Sequence, residues 1–154
     1  ALAASKKLAD VCEADFDAVF LPGGHGAMWD FPGNDDLARL IGRTFEAGGV
    51  VGAVCHGPAG LIDAVDGDGR PIIEGRRVNA FTDSEEAAMG LIEAMPFLLE
   101  TRLRARGAHV ETGGDFSETA IRDGRFVTGQ NPMSSAAVAR LMLETLADTQ
   151  ARAA

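Results

Sequence analysis

The sequence is poor in the features that mark several functional classes. It has two cysteines, Cys12 and Cys55, too few for a disulfide framework and in keeping with a reducing, cytoplasmic setting. No apolar stretch approaches the roughly 20 residues of a membrane span, and no secretory leader pattern is recognised, so no membrane partner is expected. No basic cluster offsets the net charge of −9, which argues against a nucleic-acid partner. The nearest candidate, Arg102-Leu103-Arg104-Ala105-Arg106, reads as the solvated face and last turn of a helix. Repeats, linkers and low-complexity segments are missing. The two Cys and three His also lack the close C-x-x-C or H-x-x-x-H pairing of a zinc site, so no metal is expected.

What is present is the composition of an ordinary globular chain. Its 154 residues, 46% apolar and 24% charged, suffice for one domain over 1–154 with its own core. Ala1 to Val11 reads as the end of an amphipathic helix, with Cys12 half-buried beside it. Phe16 to Pro22 reads as a buried strand ending at Gly23-Gly24. Asn34 or Asp35 is placed to cap a helix through Leu37, Leu40, Ile41 and Phe45, ended by Gly48-Gly49. Gly49 to Val54 is a strand, and Pro58 to Ala64 a helix of roughly two turns.

Further on, Pro71 to Phe81 predicts two short strands around Glu74-Gly75, and Ser84 to Leu91 predicts a helix. Another helix follows Pro96 and closes at Gly107. Ala108 to Glu111, Thr119 to Arg122 and Arg125 to Thr128 are strand-like, with a hairpin turn at Asp123-Gly124. Ser134 or Ser135 begins the last helix. Alternating strands and helices imply an α/β fold with a mainly parallel sheet covered on both faces, whose active site lies beyond the carboxyl ends of the strands.

Cys55 stands at such an end. In Ala53-Val54-Cys55-His56-Gly57-Pro58 a strand stops at the cysteine and turns at once into a helix, the layout of an elbow that presents a nucleophile. Helix N–H groups there predict a thiol that ionises easily. Gly23-Gly24-His25-Gly26 ends the preceding strand, and its backbone N–H groups suit a developing oxyanion. Such a loop is more often a plain turn. His56 is a base candidate, although adjacent side chains usually diverge, and by itself it reads as a helix-start histidine. The acids of Phe81-Thr82-Asp83-Ser84-Glu85-Glu86 open a helix, where one could orient a histidine or simply balance the helix dipole. His109, on a strand, reads as structural or exposed.

Together these segments resemble the DJ-1/PfpI superfamily, and within it the Hsp31-like glyoxalase III branch. The resemblance rests on Phe20-Leu21-Pro22-Gly23-Gly24-His25-Gly26 with Met28-Trp29-Asp30, on Ala53 to Pro58, and on Gly69-Arg70-Pro71-Ile72-Ile73-Glu74-Gly75. Phe81 to Glu86 and Val127-Thr128-Gly129-Gln130-Asn131-Pro132 complete the set in the expected order. It implies a flavodoxin-like three-layer sandwich and a catalytic set of Cys55, His56 and Glu86, with Glu86 a better match than Glu85. Gly24, His25 and the elbow backbone at His56 are implied as oxyanion or substrate contacts.

The implied activity is conversion of methylglyoxal, a small α-oxoaldehyde, to D-lactate without glutathione, metal or other cofactor. Alternatives on the same elbow are a cysteine hydrolase (a deglycase or peptidase) or a stress chaperone or redox sensor. An amidotransferase reading rests only on His109-Val110-Glu111, which falls mid-strand. A homodimer is expected by analogy. Members of the superfamily begin with a strand, helix and second strand that have no counterpart here, so the domain is expected to be N-terminally incomplete, exposing a sheet edge. That segment carries an acid that hydrogen-bonds the cysteine; neither Asp15 nor Asp17 sits in the motif to replace it.

Overall fold

The computed structural model describes residues 2–153. Its central sheet contains β1 (Ala18–Leu21), β2 (Val50–Val54), β5 (Ala120–Asp123) and β6 (Phe126–Gly129), in the order β1-β2-β6-β5. β1 and β6 both run parallel to β2, and β5 returns antiparallel to β6 across the Gly124 turn. A second, two-stranded parallel sheet pairs β3 (Arg77–Val78) with β4 (His109–Val110).

The period-2 pattern of β2 explains the layering. Val51 and Ala53 face one core with Leu37 and Ile41 of α2 (Asp35–Glu46), capped by the Asn34 side chain. Val50 and Val54 face a second core with Val138 and Met142 of α5 (Ser135–Ala153). A strand buried on both faces has no polar side to alternate, hence its unbroken apolar run. The result is the three-layer α/β arrangement of flavodoxin-like proteins. Among the described residues no helix is long and apolar enough to cross a membrane.

Four local expectations need correction. Within the expected helix over 1–11, Ala1 lies outside the described residues, and the rest forms two single 3₁₀ turns, Leu2–Ala4 and Leu8–Asp10. Its apolar residues at 2, 8 and 11 do not repeat often enough to hold a continuous stripe. Cys12 is accordingly exposed rather than half-buried. Of the two short strands expected around Glu74-Gly75, the second forms as β3 and the first does not. Ile72 and Ile73 are both buried in a tight turn after an isolated Val65–Pro71 bridge, a placement that strand alternation forbids on a one-sided sheet. The helix after the elbow is 3₁₀, Gly57–Leu61, and Gly57 passes so close under β1 that any Cβ would meet the Leu21 carbonyl.

Two carboxylates on α3 (Asp83–Ala88) define how that short helix is held. Glu85 is fully buried and closes a capping box with Thr82. It also accepts from the Phe116 backbone N–H at 2.7 Å, from Asn131 Nδ2 at 2.8 Å and from Gln130 Nε2 at 3.2 Å. Desolvation pushes the Glu85 carboxyl upward, but these donors outweigh it and hold the group below the usual carboxylate range. Because the folded value is depressed, the stabilisation is present above the unfolded value of about 4.3 and is lost as pH falls through the folded value. Glu85→Ala is expected to cost about 2–4 kcal/mol at neutral pH by stranding buried donors. Urea unfolding at several pH values should show that difference narrowing below about pH 4; a pH-independent difference contradicts the clip.

Candidate active site

The parallel strands end together. Leu21 pairs with Ala53 and Val54 with Gly129, so the chain leaving β1, the residue after β2 and the segment after β6 meet at one edge. Cys55 takes the turn with φ of +63°, left-handed for a residue with a Cβ. The strain is sustained by backbone bonds on both sides: Cys55 N–H donates to the Gly129 carbonyl, and Phe81 N–H donates to the Cys55 carbonyl, each at 2.9 Å. The loop after β1 packs directly on the elbow. A Cβ on Gly23 would lie 2.5 Å from Cys55 Cβ and 3.1 Å from Sγ, so only glycine lets the two segments approach this closely. Gly24, with φ of +111°, turns its N–H toward the sulfur.

Four side chains then form a line. Cys55 Sγ lies 3.3 Å from His56 Nδ1, His56 Nε2 lies 2.9 Å from Glu86 Oε2, and Glu86 Oε1 lies 3.0 Å from His25 Nε2. Cys55, His56 and Glu86 are 7%, 1% and 4% exposed, while the His25 side chain is 33% exposed. Phe81 stacks at 4.5 Å on His56, whose ring lies 4.3 Å from that of His25. The elbow thus overcomes the usual divergence of neighbouring side chains and brings His56 onto Cys55.

Electrostatics set the resting protonation. Burial pushes the Cys55 thiol up, aided by the negative charges of Glu85 and Glu86, and exceeds the opposing pull of the Gly24 and His56 backbone N–H groups. This reverses the easily ionised thiol expected from the sequence. The following helix is one short 3₁₀ segment, too small for a strong dipole, and Cys55 is buried. Burial likewise lowers His56, against the upward pull of its bond to Glu86, with His25 adding to the lowering. The resting pair is therefore a neutral thiol donating to the Nδ1 lone pair of a neutral imidazole, whose Nε2–H donates to Glu86. That tautomer is poised to receive the thiol proton.

Of the residues singled out in the sequence, the structure brings together Cys55, His56, Glu86, Gly24 and His25. His25 turns its ring onto Glu86. It lies 61 positions away from that acid, and no local pattern announces the bond. The role of Glu85 as a structural clip was also not read, although the Thr82-x-x-Glu85 capping box is a local signal for it. His25, His56 and Glu86 each offer one ligand atom, all within 4.8 Å of one another, a cation-compatible set that sequence spacing does not reveal. His109 is exposed and Glu111 is held by Arg77; neither joins the elbow.

Comparison with known proteins places the chain in a family. The DJ-1/PfpI family profile matches residues 1–145, and the chain belongs to that family. It is 35% identical to Glyoxalase 3 of Candida albicans over 136 residues, 84% of this chain and 58% of that protein. It is also 35% identical to the glutathione-independent glyoxalase HSP31 of Saccharomyces cerevisiae over 153 residues, 94% of this chain and 64% of that one. The crystal structure of glyoxalase III from Candida albicans superposes with a TM-score of 0.85 at 33% identity, covering 90% of this chain and 60% of that structure. The chain spans about three fifths of the length of these curated relatives.

The raised thiol has a direct readout. Alkylation of Cys55 by iodoacetamide, followed by mass spectrometry from pH 6 to 11, is expected to inflect above the free-cysteine value of about 8.5. An inflection below that value contradicts the resting neutral pair.

Proposed function

We propose that this DJ-1/PfpI chain carries the catalytic centre of a glutathione-independent glyoxalase, with Cys55 as nucleophile, His56 as general base and Glu86 orienting His56. The observation that carries this reading is the buried line from Cys55 through His56 to Glu86. Its seclusion suits a small α-oxoaldehyde; a peptide or glycated side chain needs an open groove to reach a cysteine that is 7% exposed. A reversible redox sensor is favoured by an exposed, easily ionised thiol, the opposite of what surrounds Cys55.

The chemistry follows from these groups. As Cys55 Sγ bonds to the aldehyde carbon of methylglyoxal, the thiol proton passes to His56 Nδ1. The carbonyl oxygen becomes an alkoxide near the Gly24 and His56 N–H groups, then takes that proton to give a hemithioacetal. Neutral His56 next removes the hydrogen from C1 as a proton, and the electron pair forms an enediolate with its charge on O2. Return of that proton from His56 to C2, with the O1 hydroxyl proton passing to O2, leaves a lactoyl thioester, so C1 is oxidised and C2 reduced with no external oxidant. Water then breaks the C–S bond, releasing lactate and restoring the thiol. Glu86 holds the imidazole through both transfers, and His25 holds the other oxygen of Glu86.

A homodimer and a cytoplasmic setting are part of the same proposal.

The test is D-lactate released from methylglyoxal without glutathione. Cys55→Ala is expected to abolish it, and Glu86→Gln to lower kcat by about 100-fold or more, through loss of the anionic partner of His56. Undiminished D-lactate from Cys55→Ala contradicts the proposal.

A further inference from the structure

A second charged site lies at the far end of the sheet from Cys55. Phe45, near the end of α2, and Phe126, at the start of β6, meet with ring centroids 4.8 Å apart. Two guanidinium groups stand over Phe45, Arg125 at 4.3 Å and Arg76 at 4.8 Å from its centroid, and Arg76 is also 5.1 Å from that of Phe126. With Arg122 of β5 and Arg152 in the last turn of α5 they line a pocket of about 390 Å³. The only carboxylate among its lining residues is Asp148, which accepts from Arg122 at 2.7 Å.

The remaining three cations lack acidic partners among the described residues. Arg125 donates to the backbone carbonyls of Phe45 and Gly49, which explains its place as a tie between α2 and β2. Arg76 donates to the Ile72 carbonyl, and this bond requires no cation facing a pocket. Packing like charges on one ring is unfavourable, and burial together with the charge of Arg76 pushes Arg125 below its usual value. A chain of net charge −9 with many spare carboxylates nevertheless leaves this concavity positive. Guanidinium forks match phosphate oxygens in charge and shape.

We propose that the pocket of Arg76, Arg122, Arg125 and Arg152 binds a phosphate dianion, free or as the head of a small phosphomonoester. It is separate from the candidate active site, by about 13 Å along strands that rise roughly 3.3 Å per residue. The volume exceeds that of one phosphate, leaving room for a small ester.

Thermal unfolding of the chain, titrated with inorganic phosphate at constant ionic strength set by chloride, tests this. A saturable rise in Tm is expected. Arg104→Gln, whose residue pairs with Glu100 outside the pocket, should respond as the unmodified chain does. Arg152→Gln, on an exposed residue, and the Arg76→Gln/Arg152→Gln pair should need about tenfold more phosphate for half-saturation. Glycerol 3-phosphate distinguishes the sources: saturation at lower concentration assigns an ester, and equal concentrations assign the phosphate group alone. A non-saturating rise, no rise with either probe, or an unchanged response in the double variant overturns the proposal.

Discussion

One carboxylate shared by two imidazoles organises the candidate active site. Glu86 accepts from His56 on one oxygen and from His25 on the other, and this fixes which nitrogen of His56 carries the proton. With Nε2–H committed to Glu86, Nδ1 presents its lone pair to the Cys55 sulfur. The helix bearing Glu86 has six residues and little intrinsic stability. Its position depends on the neighbouring acid. Consecutive helical residues point about 100° apart, so Glu85 turns away from the elbow and ties α3 to the loop at Phe116 and the segment at Gln130-Asn131. The first acid anchors the helix, and the second is thereby aimed.

The elbow is the other half of the constraint. A left-handed cysteine packed against a glycine with no room for a Cβ brings two strand ends into contact, and Cys55 and His56 are buried there. Burial raises the energy of both the thiolate and the imidazolium, so the resting proton stays on sulfur. A buried neutral thiol is a poor target for oxidants, and in the proposed glyoxalase reaction the nucleophile would be formed only once the aldehyde is bound. The backbone N–H groups of Gly24 and His56 point at the Cys55 sulfur.

Much of this was legible in the sequence where local rules apply. The strand to Val54, the elbow, the Asn34 cap and the Asp123-Gly124 hairpin each follow from periodicity or turn chemistry. The motif resemblance selected Glu86 over Glu85, and the geometry places Glu86 on His56. Readings that needed the third dimension went differently. The dipole argument for Cys55 assumed a full helix and an exposed thiol, whereas a five-residue 3₁₀ segment and burial decide the matter. The bond between His25 and Glu86 joins residues far apart in sequence. The arginines at 76, 122, 125 and 152 are scattered along the chain, so no run of basic residues marks the pocket they form.

The central claim is the protonation state of the Cys55–His56–Glu86 line at rest. It is tested most directly by nitrogen-15 NMR of the histidine side chains at neutral pH, with His56 assigned by comparison with His56→Gln. The account predicts His56 as a neutral imidazole, protonated at Nε2 and unprotonated at Nδ1. A doubly protonated His56 beside a Cys55 thiolate at neutral pH contradicts it.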